Sequence, residues 1–100
     1  MPEQRKSKRF ELRLPLELVR NGLDRISEMG ETRNLSSTGV LFRTPFLMEL
    51  GQHVEYLITL PASEKGSDVR IRCVGKVIRQ ANDAEFAATL ERYEFVRDGA

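Results

Sequence analysis

The stretch Phe10-Glu11-Leu12-Arg13-Leu14-Pro15-Leu16-Glu17-Leu18 decides the fold class of this chain. Apolar residues alternate with charged residues or proline at every position, and a period of two is typical of a strand with one buried face. Pro15 has no backbone N–H, so we expect this strand to lie at a sheet edge or to be interrupted there. The stretch therefore predicts a half-buried β-strand at the start of the folded domain.

Further short runs follow, separated by turn residues. Asn21-Gly22 predicts a tight turn. A twisted strand is expected near residues 30–34. The other predicted strands cover residues 39–44, 54–60, 69–73 and 86–90. Several short strands without a long helical pattern predict an all-β fold, and closure into a small antiparallel barrel of about six strands removes exposed strand edges.

Two details of the second half of the chain are less regular. Ile71 and Cys73 alternate with arginines, but the phase shifts at Val74-Gly75. A glycine at such a shift predicts a β-bulge. Cys73 falls on the apolar side of its strand and is expected to be a buried thiol. Residues 91–100 are expected to form a short helix or a tail.

Composition sets the remaining limits. One hundred residues with 40% hydrophobic and 31% charged residues indicate one soluble domain, residues 1–100. We divide it into a flexible basic segment (residues 1–9), a barrel (10–90) and the short helix or tail. A single cysteine excludes an internal disulfide and a multi-cysteine metal site, and it fits a reducing compartment. Without an apolar run of membrane length or a signal core, we expect a cytoplasmic protein with no membrane insertion.

The segment Arg5-Lys6-Ser7-Lys8-Arg9 is locally basic in a chain whose net charge is only +1. The guanidinium fork matches a phosphate as well as the O6 and N7 atoms of guanine. If the segment is extended, Arg5 and Arg9 point to the same side, while Lys8 supplies charge without the fork. The segment indicates an anion-binding element, with a solvated basic tail as the alternative.

The segment Asn34-Leu35-Ser36-Ser37-Thr38-Gly39 is a polar connection that ends in glycine. Asn34 and Ser36 offer short donors and acceptors. Gly39 permits a positive φ angle and a close approach of the backbone to a flat ligand. The alternative is a plain strand connection whose side chains bond their own backbone.

A second basic group consists of Arg70, Arg72, Lys76 and Arg79. Strand parity places Arg70 and Arg72 on one exterior face, where charged residues are normally solvated. They are auxiliary candidates for contacts with a phosphate or a protein partner. His53 has no partner for a metal site. No acid and base pair, activated serine or glycine-rich phosphate loop is present, so the sequence predicts a protein that is not an enzyme.

The two segments together resemble the RxxxR and (D/N)xSxxG motifs of PilZ domains, the bacterial receptors for cyclic di-GMP. The resemblance implies that Arg5, Arg9, Asn34, Ser36 and Gly39 bind this ligand. It also implies that the flexible arginine segment closes over the ligand, with no other cofactor, and that an effector protein reads the change. Motility, biofilm or exopolysaccharide machinery is the implied output.

Two alternatives to ligand binding remain open. The first is a PilZ-like interaction domain that no longer binds nucleotide. The second is a small barrel that binds single-stranded nucleic acid. Most of the seven Phe and Tyr residues fall on apolar positions, which leaves few platforms for base stacking and does not favour the second alternative.

Overall fold

The computed structural model describes residues 11–61 and 69–97. Seven strands follow one another in chain order: β1 (Pro15–Asn21), β2 (Asp24–Leu35), β3 (Gly39–Arg43), β4 (His53–Thr59), β5 (Val69–Asn82), β6 (Glu85–Thr89) and β7 (Arg92–Arg97). The described residues contain no helix, and thus none long and apolar enough to cross a membrane. The all-β prediction is confirmed.

Six of the strands close on themselves. β1 pairs with β2 and β4, β2 with β3, β3 with β6, β6 with β5, and β5 with β4, all antiparallel. Each of these strands therefore has two hydrogen-bonded neighbours, which satisfies the backbone groups at both edges. The predicted barrel of about six strands is confirmed, and β7 is an additional strand.

The predicted alternation of buried and exposed residues in the first strand is confirmed from Leu14 onward, although the strand begins later than predicted. Leu14, Leu16 and Leu18 are all buried, and ladder pairing starts at Pro15. Before that point a side chain takes over part of the pairing. The hydroxyl of Thr32 accepts the N–H of Leu14 at 2.9 Å, and the N–H of Thr32 donates to the Leu14 carbonyl at 2.9 Å. The predicted turn is also confirmed, because Gly22 has a φ of +66° between β1 and β2.

The barrel interior is built around three aromatic rings. Phe42 lies between Tyr56 and Phe86, with ring centroids 6.1 and 6.5 Å apart. All three are fully buried. Burial of one such side chain stabilises the fold by about 1.5–3 kcal/mol. Smaller side chains fill the space around them: Leu16, Leu18, Val54, Ile58, Cys73, Val77 and Ala88.

The predicted bulge at Val74-Gly75 is wrong. Pairing of β5 with β4 is regular from Arg70 to Lys76, and the register against β6 shifts only beyond Val77. Gly75 is buried with the same parity as Val77, and Val74 faces outward. The glycine serves another purpose, because a Cβ at this position would overlap the carbonyl oxygen of Thr89. Gly75 therefore permits close backbone packing rather than a change of phase.

The end of the described chain also differs from the prediction of a short helix or tail. Residues 92–97 form β7, which pairs with residues 69–74 of β5. β6 pairs with residues 77–82 of the same strand. Both therefore lie along one edge of β5, one after the other, while β4 occupies the opposite edge. Glu91 joins them through an N–H that donates to the Val74 carbonyl at 2.8 Å.

Candidate ligand-binding site

The connection between β2 and β3 is a turn organised by Ser36. Its backbone N–H donates to the Gly39 carbonyl at 3.0 Å. Its hydroxyl accepts the backbone N–H groups of Thr38 at 3.3 Å and of Gly39 at 3.2 Å. On the other side of the turn, the N–H of Leu90 donates to the Thr38 carbonyl at 2.9 Å. Ser36 therefore bonds its own backbone, as the plain-connection alternative predicts, and gives the turn a fixed shape.

Gly39 is needed for space rather than for an unusual backbone angle. Among the described residues, positive φ angles occur at Gly22 and Gly51 and not at Gly39, so the expected use of that freedom is wrong. A Cβ on Gly39 would lie 3.0 Å from the Ala88 carbonyl oxygen. The backbone here is closely approached by the neighbouring strand β6, and a close approach to a ligand stays a prediction.

An irregularity in β2 brings two polar side chains to the outer face of the barrel. The register against β3 shifts between Thr32 and Asn34, so Arg33 is an extra residue on β2. Thr32 is opposite the buried Phe42, whereas Asn34 is opposite Leu41 on the outer side. Such a bulge redirects side chains and is common beside binding sites. Asn34 is half-buried, and the described part of the chain supplies no hydrogen-bond partner to its side chain.

Arg33 is a charged neighbour of the candidate site that sequence reasoning did not single out. Its guanidinium Nη1 lies 2.9 Å from the Glu85 carboxylate of β6. This ion pair crosses the outer surface of β3, the strand between β2 and β6. It places a permanent positive charge next to Asn34 in the chain. The local pattern gives no warning of the bulge, because residues 23–33 have no clear alternation.

One row of residues crosses four strands on this outer face. The register places Asn34 opposite Leu41, Leu41 opposite Ala87, and Ala87 opposite Arg79. Three strand spacings of about 4.8 Å separate the two ends of the row, so the path from Asn34 to Arg79 along the curved barrel surface is about 14 Å. β2 and β5 are three positions apart in the ring of six strands, so the row runs half of the way round the barrel. Between Asn34 and Arg79 lie two apolar residues, the half-buried Leu41 and the buried Ala87. Arg79 is exposed at the far end.

Arg70 and Arg72, the auxiliary candidates, form ion pairs away from the turn at residues 36–39. Arg72 lies 3.1 Å from Glu55 and 3.7 Å from Glu94, and Arg70 lies 3.9 Å from Glu17. Both arginines project from the part of β5 that pairs with β4 and β7. The three carboxylates belong to β1, β4 and β7, and thus not to the turn at residues 36–39.

Lys76 is nearer to the turn. Its backbone N–H donates to the Thr89 hydroxyl at 2.9 Å, and Thr89 is opposite Gly39. Sequence reasoning grouped it with the other basic residues but gave it no role at the site.

A cavity of about 350 Å³ lies elsewhere on the surface. Its lining residues come from β4, β5 and β7: Glu55, Arg72, Val74, Arg92, Tyr93 and Glu94. It does not include the turn or the row of residues described above. None of the residues from Asn34 to Gly39 therefore lines this cavity. Arg5, Lys8 and Arg9, the first half of the predicted site, lie outside the described residues, and their roles stay predictions.

Two titratable groups, Tyr56 and Cys73, are buried inside the barrel. The Tyr56 hydroxyl donates to the Thr89 carbonyl at 3.1 Å, and burial raises the pKa of Tyr56 far above its usual value. Burial also raises the pKa of the Cys73 thiol to about 12. Both groups therefore stay protonated at neutral pH, and neither is an activated nucleophile. The described residues contain no group of three or more His, Cys, Asp or Glu that could hold a metal ion.

Comparison with known proteins agrees with the architecture. The family model described as PilZ domain matches residues 3–98, nearly the whole chain. No curated protein and no solved structure matches the chain. The match includes both polar segments and all seven strands. The chain therefore belongs to the PilZ domain family.

Proposed function

We propose that this domain is a receptor for cyclic di-GMP and that the ligand lies on the outer face of β2, β3 and β6. PilZ domains are a family of binding domains generally associated with this ligand. The observation that carries the proposal is the rigid turn at residues 36–39 beside the row from Asn34 to Arg79. This surface offers a polar edge at Asn34 and apolar residues beside it, and it curves with the barrel toward the cation at Arg79.

Each part of the surface suits one part of the ligand. The free amide of Asn34 can donate to a phosphate or accept from a guanine N–H. Leu41 and Ala87 are low enough for a base to lie across them. Ser36 acts indirectly, because its hydroxyl is used to hold the turn. Its contribution is a preformed backbone shape, which lowers the entropic cost of binding.

Arg5 and Arg9 complete the proposed site from the N-terminal segment. Each guanidinium can bind a phosphate or the O6 and N7 edge of a guanine through two parallel hydrogen bonds. Ordering of the segment on the ligand would cost on the order of 2–5 kcal/mol. Charge-assisted hydrogen bonds of about 1.5–3 kcal/mol each offset that cost when several form together.

The proposed output is a change of surface, not a reaction. The ligand and the ordered N-terminal segment create a face that an effector protein reads. We place this receptor in the bacterial cytoplasm, where it would regulate motility, biofilm or exopolysaccharide machinery. These steps are proposed from membership of the PilZ domain family, and no residue of this chain is assigned to them.

Isothermal titration calorimetry with cyclic di-GMP tests the proposal, with GTP as the control ligand. We expect Asn34→Ala and Arg9→Ala each to weaken binding roughly 10- to 150-fold, the equivalent of about 1.5–3 kcal/mol. The free energy of unfolding should change little for Asn34→Ala, because the side chain has no partner in the described chain. Arg25→Ala is the matched control, since Arg25 is exposed at the opposite end of β2.

Three results would contradict the proposal. Absence of heat at several temperatures from a folded sample would leave the domain as a protein-interaction module without nucleotide. Equal losses for Arg9→Ala and Arg25→Ala would indicate general attraction of anions. Binding of single-stranded nucleic acid with a steep salt dependence, and no preference for cyclic di-GMP, would identify a polymer-binding barrel instead.

A further inference from the structure

The outer edge of β7 is an unusual feature of this barrel. β7 is the last strand in the sheet order, and β5 occupies one of its edges. Within residues 11–61 and 69–97, no strand pairs with its other edge. An edge strand presents a row of backbone N–H and C=O groups that can pair with another chain.

The two faces of β7 have different chemistry. Tyr93 and Phe95 share one face, with 60% and 65% of their surfaces exposed, and their rings form an edge-to-face pair with centroids 6.1 Å apart. Arg92 and Glu94 occupy the opposite face and are also exposed. Glu94 lies 3.7 Å from Arg72, so the charged face continues onto β5. An exposed aromatic pair on an open edge is typical of an interaction surface.

We propose that β7 pairs antiparallel with β7 of a second copy of this chain, with Tyr93 opposite Tyr93 of that copy. Two residues that lie directly opposite each other in an antiparallel sheet project from the same face, and a two-fold axis relating the copies keeps each residue on its own face. Neighbouring residues project from opposite faces, so the axis cannot lie between two of them. It must pass beside one residue, which then lies opposite the same residue of the other copy. An axis beside Arg92 or Glu94 sets like charges directly opposite each other, which is destabilising. The choice is thus reduced to Tyr93, Phe95 and Val96, and an axis beside Val96 leaves Arg92 and Glu94 without a partner on the other β7.

Charge complementarity selects Tyr93. With the axis there, Arg92 of each copy lies opposite Glu94 of the other, and two ion pairs form on one face. With the axis beside Phe95, Glu94 lies opposite Val96, and no ion pair forms between residues of the two β7 strands. The Tyr93 register also stacks the two Tyr93 rings and brings each Phe95 into diagonal reach of the other copy's Tyr93. Two barrels would then share one continuous sheet.

The expected dimer is weak, because one strand edge buries less surface than a stable interface needs. It does not depend on the ligand-binding proposal, since it uses β7 and no residue of the β2–β3 turn. The experiment therefore uses the full chain without nucleotide. Sedimentation equilibrium from about 1 µM to about 1 mM covers the affinity range of a weak complex.

Two charge reversals give a sharp test. Arg92→Glu and Glu94→Arg should each weaken dimerisation at least about tenfold, because each turns two attractive pairs into two repulsive ones. An equal mixture of the two variants should restore the dimer, since carboxylates on one copy then face guanidinium groups on the other. Arg25→Glu is the control of equal charge change and should dimerise like the wild type. Circular dichroism melting of each variant checks that it is folded.

Three results would contradict the proposed dimer. The first is a wild-type chain that stays monomeric up to about 1 mM. Dimerisation of both folded variants at wild-type strength would show that β7 is not the interface. Folded variants that stay monomeric when mixed would exclude the Tyr93 register and with it the proposal as stated.

Discussion

Removal of one oxygen atom from Tyr56 tests how the barrel holds the strand beside its candidate site. The side chain is fully buried, and its hydroxyl donates to the Thr89 carbonyl at 3.1 Å. Tyr56→Phe keeps the ring and its packing on Phe42, so no large cavity forms. The Thr89 carbonyl loses this donor inside the protein. A buried polar group without its partner costs about 1–3 kcal/mol.

We therefore expect the free energy of unfolding to fall by about 2 kcal/mol. For a domain of this size, that loss corresponds to a decrease in Tm of roughly 8–16 °C. Urea titration monitored by circular dichroism measures it, and the slope m should be unchanged because the same surface is exposed on unfolding.

Tyr93→Phe is the matched control for this prediction. The same atom is removed from a ring that is 60% exposed, so its effect should stay within about 0.5 kcal/mol of wild type. If Tyr56→Phe also stays within that limit, the hydrogen bond to Thr89 does not support the fold as argued. Equal losses in both variants would point to a general effect of tyrosine hydroxyls instead.

Three further changes test other parts of the structure. Gly75→Ala should destabilise by about 3 kcal/mol or more in urea titration, because its Cβ would overlap the Thr89 carbonyl; a loss below 1 kcal/mol would contradict the close packing. Gly39→Val should lower stability by about 1–3 kcal/mol, since its Cβ would press on the Ala88 carbonyl, and should also weaken cyclic di-GMP binding in calorimetry. Stability should fall as pH rises above 9, because the unfolded chain loses the Cys73 proton near the ordinary pKa of 9.0 while the folded chain keeps it to about 12. The slope contributed is at most about 1.4 kcal/mol per pH unit, and Cys73→Ala should remove it between pH 9 and 10.

The alternation of leucines predicted the first strand because burial on one side imposes a period of two on any strand. The same logic failed at Val74 and Ile78. Both are apolar and share the parity of Arg70 and Arg72, which suggested a shift of phase, yet Val74 faces outward and Ile78 is 56% exposed at the register shift of β5. An apolar residue can lie on the outer face of a strand as well as in the core. Alternation of residue types alone therefore does not distinguish the two positions. The alternation of Tyr93 and Phe95 with charges was a strand signal that was overlooked.

The candidate site was predictable only in its local part. The segment from Asn34 to Gly39 is a turn, and its polar and glycine residues indicate that directly. Ala87 and Arg79 join the row that starts at Asn34 through pairing across four strands, and Arg33 lies beside that row as the extra residue of β2. That pairing depends on a bulge in β2 and on another in β5. Register between distant strands is a property of the whole sheet, and no local pattern contains it.

The order of β6 and β7 along β5 has an evolutionary consequence. The barrel is complete at Thr89, where β6 closes the ring, and residues 92–97 are attached outside it. Replacement of residues 92–97 by another element would leave all six barrel strands with their partners. Selection can therefore exchange the C-terminal appendage of such a domain for a new assembly contact while the turn at residues 36–39 remains unaltered.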